Sequence, residues 1–348
     1  MLSAVFERLF VALETSETVM MRELGFTPTR ADARVMAASI ARRAMSTVTK
    51  KPHLYYMSAW FCPFAHRATL ALEHHGDHLT YEWIEALGWE KRKATGASHD
   101  KGASLATSHE NWYHFKAPEL MKHNPLGMVP TLVSEATFLE DDSLGSRKPP
   151  VRESLVAIEF VDELVRGGDA PIMPACPYER ARVRVAADVV NKQICSKYYH
   201  VLVRQDPAEQ REGFEALVKG LEAFGGELVA NGEPGTAANS GSFFGGAKSP
   251  GLVDYALFPW AHRIPVFEHY RGKDFAIPRN TPNLRKYHDW LAAMHALDFV
   301  KKTCPPWDDY LAHIGRYADG SARSKVANAV RDGRDAHQYD DEKDDTSH

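Results

Sequence analysis

The segment with the most chemical content is Phe61-Cys62-Pro63-Phe64-Ala65-His66-Arg67. Proline suits the first position of a helix, where its missing N–H has no intrahelical partner, so Cys62 falls at a helix N-terminus. There it faces unpaired amides and the positive end of the helix dipole, both of which favour a thiolate. A thiolate in that place is a nucleophile. Ala65 stands where a second cysteine would close a disulfide within the turn, so the chemistry is monothiol and an external thiol must resolve any mixed disulfide. Taken alone, Cys-Pro-Phe is equally compatible with a buried cysteine ahead of an ordinary helix, since free cysteine often behaves as a small hydrophobe.

Two further groups could act with it. Val129-Pro130 opens a strand, where a proline removes a ladder donor. A cis bond beside a ligand is one reason for it and a tight trans turn at an edge strand is another. Next to such a proline, the N–H and C=O of Val129 can pair with an extended peptide. Arg152-Glu153-Ser154 places a carboxylate, a hydroxyl and free amides at another helix start, a site for an amine and a carboxylate together. By itself Glu-Ser is also no more than a helix cap.

The elements that must position these residues follow from periodicity. His53 to Met57 is a β-prone run, and the stretch after Pro63 is helical until Gly76. Thr80 to Glu85 alternates as a strand, which completes a βαβ unit. Polar insertions at about 88–110 and 135–150 flank a short helix and the Asn124 to Val133 turn and strand. An amphipathic helix begins at Ser154, and 169–177, with three prolines, reads as a linker. Beyond it the pattern is helical over Tyr178 to about Val203, Pro207 to about Asn231, Leu252 to Tyr270 and Pro282 to Val300. The expected organisation is an extension at 1–50, an α/β thioredoxin-like domain at 51–168 (mixed sheet, helices on both faces), the linker, and an all-α domain at 178–317. A polar, acidic segment over 318–348 reads as a disordered tail.

Composition excludes other classes. The 348 residues suit two domains, and 44% hydrophobic with 25% charged residues is the mix of a globular protein. A formal charge of -4 supplies no bulk field for nucleic acid or an anionic membrane. The apolar run from Leu155 to Val165 is broken by Glu159 and Asp162, so no transmembrane segment is expected. Four scattered cysteines without a CxxC pair point to a reducing compartment. Ala33 to Lys51 is rich in Ala, Ser and Arg and lacks acid, like part of an organelle transit peptide, while the stretch before it is acidic enough for an ordinary extension. A cytoplasmic location is expected, with mitochondrion or plastid as the alternative. Among seventeen histidines, His74-His75 with Asp77-His78 are notable, but the helix ends at Gly76, between His74 and His78, and no helical i,i+4 pair with a nearby carboxylate stands out, so no metal is assigned.

The order Cys-Pro-Phe-Ala-x-Arg, Asn-Pro-Leu-Gly-x-Val-Pro-Thr-Leu, Glu-Ser at a helix start, then Ser242-Phe243-Phe244-Gly245-Gly246 and Asp254 to Trp260 resembles a cytosolic glutathione transferase. The nearest resemblance is to the omega class, which uses a cysteine, and it covers roughly Pro52 to Tyr317. It implies glutathione as co-substrate, a homodimer, and a small electrophilic, disulfide or oxidised acceptor held against the helices. By position, Cys62 would be the nucleophile and Phe64 would lie at the glutathione site. Val129, before Pro130, would pair with the cysteinyl unit, and Glu153 and Ser154 would hold the γ-glutamyl end. Lys116 resembles the lysine that meets a glutathione carboxylate, although its spacing to Asn124 is one residue short. Trp260, with Phe258 and Arg263, resembles the acceptor cleft. Gly251 stands where the family often has a Ser or Thr cap before Asp254. The resemblance implies thiol transfer and dehydroascorbate-type reduction, with weak conjugation. A non-catalytic ligand-binding or assembly module on the same fold is the competing reading.

Overall fold

The computed structural model describes residues 51–93, 110–165, 170–228 and 241–338. The expected extension at 1–50 and the end of the acidic tail lie outside them. The body from Pro52 onward is one compact unit.

Strand β1 (His53–Ser58) runs through the middle of a four-stranded sheet. It pairs in parallel with β2 (Thr80–Glu85) and antiparallel with β5 (Thr131–Ser134), which pairs antiparallel with β6 (Val151–Arg152). Between β1 and β2 lies α1 (Pro63–His74), the crossover that a parallel pair requires. The short α2 (Pro118–His123) precedes the Asn124–Thr131 turn, α3 (Glu135–Phe138) follows β5, and α4 (Ser154–Leu164) packs beside α1. This is the expected mixed sheet with a thioredoxin-like layout.

Two regions differ from the sequence reading. The insertion expected as a loop from about residue 88 instead carries a two-stranded antiparallel ribbon, β3 (Leu87–Lys93) with β4 (Glu110–Lys116). Its polar residues hid it, because a ribbon solvated on one face has no apolar run. The second correction is the tail. After α12 (Trp307–Ala318) the chain pairs with the ribbon, Trp112 N–H donating to Ser321 O and Arg323 N–H to Trp112 O. It then forms α13 (Lys325–Arg331), with Ala322, Ala327, Ala329, Val330 and Ala336 all buried. Small alanines gave little hydrophobic signal, yet they let this segment lie close against the body.

The helical half begins with α5 (Pro177–Val190), which passes through one π-helical turn (Asn191–Cys195) into α6 (Ser196–Val203). Next come α7 (Pro207–Gly226), α8 (Leu252–Ala261) and α9 (Val266–Arg271), followed by α10 (Pro282–Ala296) and α11 (Asp298–Thr303). The expected run from Leu252 to Tyr270 is divided at Pro265, and that from Pro282 to Val300 at Leu297. Helix α8 is buried on every side and forms the axis of the core. At its start the Asp254 carboxylate accepts from Gly251 N–H and Phe244 N–H and from the Trp290 indole. Half of the reciprocal cap survives. A Cβ at Gly251 would sit 3.2 Å from Ile172 O, which accounts for glycine where a hydroxyl cap is usual.

The linker is anchored by histidines. Asp162 accepts from Ile172 N–H, Met173 N–H and His75 Nε2, while His74 bonds Tyr255 and Ala170 O. The His74-His75 pair therefore joins the two domains.

Candidate functional site

Cys62 is the N-cap residue of α1, with Pro63 next in the helix. Its sulfur faces the Phe64 and Ala65 amides and feels the Arg263 charge, all of which favour thiolate. Burial outweighs them, and Glu85 adds to it, so the thiol lies above the ordinary cysteine range. This corrects the expectation of an acidic thiol drawn from the helix terminus alone: dipole and amides act through the first turn, but desolvation by the surrounding chain is larger. Tyr199, Tyr310 and Tyr317 stand close enough to Cys62 to interact with it electrostatically. Of the residues preceding the cysteine, Tyr56 is fully buried and donates to Ala65 O at 2.6 Å, whereas Tyr55 stacks on Phe138.

The turn before β5 is held by Asn124, whose Nδ2 donates to Met128 O at 2.9 Å and to Thr131 Oγ1 at 3.0 Å. The Val129–Pro130 bond is cis. The β1–β5 ladder ends at Met57–Thr131, so the Val129 backbone lies beyond it. Glu153, exposed and at φ 71°, turns the chain into α4 and leaves Ser154 buried at the first turn. Arg152 Nη1 reaches Asn124 Oδ1 at 3.4 Å, which links this corner to the turn.

Lys116, at the end of β4, packs on the same turn. A Cβ at Gly127 would lie 2.7 Å from Lys116 Nζ, so glycine, here at φ +61°, makes room for the lysine. From α13, Lys325 Nζ donates to Leu126 O at 3.3 Å. Two ammonium groups thus meet at residues 126 and 127, and burial, reinforced by Lys325, lowers Lys116 to about 8. Lys325 was missed from sequence because it lies in the segment read as a tail.

Arg67 was another omission. Buried beneath Cys62, it donates to Ala256 O at 2.8 and 3.0 Å and to Ser154 Oγ and Asn191 Oδ1 at 3.0 Å. It also contacts Cys195 Sγ, and its guanidinium lies 4.3 Å from the Trp260 ring centroid. One side chain therefore ties α1, α4, the π turn and α8 together. Nothing in the Asn191–Cys195 spacing announces the π turn; the arginine at the end of the Cys-Pro-Phe-Ala-x-Arg run was the available signal.

The three residues expected to line an acceptor cleft, Phe258, Trp260 and Arg263, are each 0% exposed. Trp260 packs edge-on against Phe64 at 4.7 Å, and Phe258 against His66. Arg263 Nη1 donates to Pro259 O and to His66 Nδ1, so the opposite nitrogen of a neutral His66 donates to Thr303 Oγ1. These residues support the site from below rather than forming its surface, because α8 is enclosed on all sides.

The description "Glutathione S-transferase, N-terminal domain" fits residues 61–164, and "Glutathione S-transferase, C-terminal domain" fits 207–289. The chain belongs to the glutathione S-transferase family. Maize glutathione transferase GST 23 is 30% identical over 200 residues, 57% of this chain and 77% of the relative. Mouse glutathione S-transferase omega-1 is 26% identical, over 67% of this chain and 73% of its own. Among solved structures, omega 3C from Trametes versicolor superposes with a TM-score of 0.54 at 21% identity, covering 82% of this chain and 97% of its own. Rice GST1 (OsGSTU1), solved in complex with glutathione, superposes with a TM-score of 0.57 at 20% identity, over 79% of this chain and all of its own. Omega-class and plant U-class transferases thus both stand among the relatives of this glutathione S-transferase. The matched spans end at residue 289, ahead of α11, α12 and α13.

Proposed function

We propose that this glutathione S-transferase is a cysteine-type thiol transferase and glutathione-dependent reductase. One observation carries the reading: Cys62 occupies the N-cap position of α1, where the Phe64 and Ala65 amides and the Arg263 charge favour its thiolate, although no side-chain cap bond is formed. Glutathione would lie along the Val129–Pro130 turn, with its γ-glutamyl end at Glu153 and Ser154 and its glycyl carboxylate at Lys116 and Lys325. The Cys62 thiolate attacks the glutathionyl sulfur of a mixed disulfide, the S–S bond breaks, and the acceptor leaves as a thiolate that takes a proton from water. A second glutathione thiolate then attacks the glutathione sulfur bound to Cys62. This releases glutathione disulfide and restores the Cys62 thiolate.

Cys62→Ser separates this reading from its rivals when thiol transfer and aryl-halide conjugation are measured side by side. Thiol transfer is expected to fall by about 100-fold or more while glutathione is still bound. Equal thiol transfer by wild type and variant would sink the cysteine mechanism. Conjugation as the dominant wild-type activity would favour the chemistry suggested by the U-class relatives, and no turnover of either kind would favour a ligand-binding module.

A further inference from the structure

Three potential ligands from three separate elements meet outside the glutathione site. His262 caps the C-terminus of α8, His295 lies in the last turn of α10, and Cys304 follows α11. One donor atom from each lies within 4.8 Å of the other two. Ligands sharing one tetrahedral zinc ion, with bonds of about 2.0 to 2.3 Å, sit roughly 3.3 to 3.6 Å apart. The groups therefore need to close by about 1 Å, within the reach of side-chain rotation. The His262 and His295 ring centroids are 5.1 Å apart, and Phe258 and Trp307 pack around them. His262 Nε2 is buried and has no hydrogen-bond partner, and a buried polar atom left in that state is costly. Each of the three residues keeps some solvent exposure, so an ion can enter from water.

We infer that His262, His295 and Cys304 form a zinc site that leaves one coordination position to water or to an exogenous ligand. Two imidazoles and one thiolate are a borderline donor set suited to zinc, and carboxylate-preferring calcium or magnesium is excluded by the absence of oxygen donors among them. Binding releases the Cys304 thiol proton to solvent and involves no change of oxidation state. The Cys304 thiol now donates to Val300 O, a contact it gives up on ligation. Burial raises the Cys304 thiol to about 11, only partly offset by Arg263, so the ion must displace a proton held more tightly than in a free cysteine. Sequence spacing hid the cluster, because its members are 33 and 9 residues apart and sit on three different elements.

The experiment is a cobalt(II) titration of the metal-stripped full chain, followed by zinc competition. About one equivalent of cobalt should give the intense visible bands of a tetrahedral ion together with a near-ultraviolet thiolate-to-cobalt band, and zinc should bleach both. Cys304→Ser should abolish the thiolate band, and His295→Gln should weaken cobalt binding more than tenfold. Cys62→Ser should change neither signal. Absence of tetrahedral bands in the wild type, or a thiolate band that is lost in Cys62→Ser but kept in Cys304→Ser, overturns the assignment. Circular dichroism of each variant confirms that a lost signal reflects a lost ligand; if Cys304→Ser does not fold, His295→Gln decides the outcome.

Discussion

A cysteine at a helix N-terminus is usually argued from the dipole, and Cys62 shows what that argument omits. Helix amides and Arg263 favour its thiolate, but burial prevails and the thiol sits above its ordinary range. A smaller thiolate fraction at neutral pH follows. Alkylation of Cys62, tracked by peptide mass, should therefore accelerate throughout the alkaline range in the absence of glutathione. A rate already at its plateau by pH 7 would show that the thiol is acidic and that burial had been given too much weight. Arg67 illustrates the opposite case, a charge buried because it is fully engaged. Arg67→Met would strand the acceptors at Ala256 O and Asn191 Oδ1 and remove the ring contact with Trp260. The expected cost is about 3 kcal/mol, read from urea unfolding. A change below about 1 kcal/mol would show that water replaces those bonds freely. The Cys-Pro-Phe run was legible because a helix start is a local property; the partners of Arg67 were not, since they are contributed up to 189 residues away.

Among the elements, the ribbon and α13 carry most of what sequence reading missed. The β3–β4 ribbon delivers Lys116 to the turn at Gly127, and α13 delivers Lys325 to the same place. With Lys116 lowered to about 8, its charge is lost as pH rises through that value in the unliganded protein. If these ammonium groups hold a glutathione carboxylate, KM for glutathione should rise above about pH 8. Lys325→Met removes one cation and also the repulsion that depresses the other. KM near pH 7 should then increase about tenfold, in line with the loss of a charge-assisted hydrogen bond, while the alkaline rise moves to higher pH. An unchanged KM with an unchanged pH profile would exclude Lys325 from the site. Strands β1, β2 and β5 were readable from alternation and β-branched or aromatic residues. The ribbon and α13 were not, since the ribbon is held by α12 and by the 321–323 segment, and α13 by its packing on α6.

For the molecule as a whole, the outer face of the α4 and α5 pair stands out. Tyr178 and Val185 are 87% and 65% exposed, and Val189 lies on the same face of α5 at the i+11 position from Tyr178. Val156 is exposed on α4, which is joined to α5 by the Arg180–Glu163 and Arg184–Glu159 ion pairs. An apolar stripe rimmed by charge is the kind of surface that association sites present. The homodimer implied by the family resemblance would be built there. Sedimentation should then give a dimer for the wild type and a monomer for Val185→Asp, with thermal stability of the protomer little changed. A monomeric wild type, or a variant that stays dimeric, would place the interface elsewhere or remove it.

The sequence by itself determined the two-domain layout and the order of the Cys62, Val129-Pro130 and Glu153-Ser154 motifs, because periodicity, helix punctuation and turn chemistry act over a few residues. Tertiary structure decided the rest. It raised the Cys62 thiol, enclosed Phe258, Trp260 and Arg263, turned a supposed tail into α13, and gathered His262, His295 and Cys304. Each of these outcomes depends on desolvation or on contact between residues distant in the chain. Local spacing encodes neither.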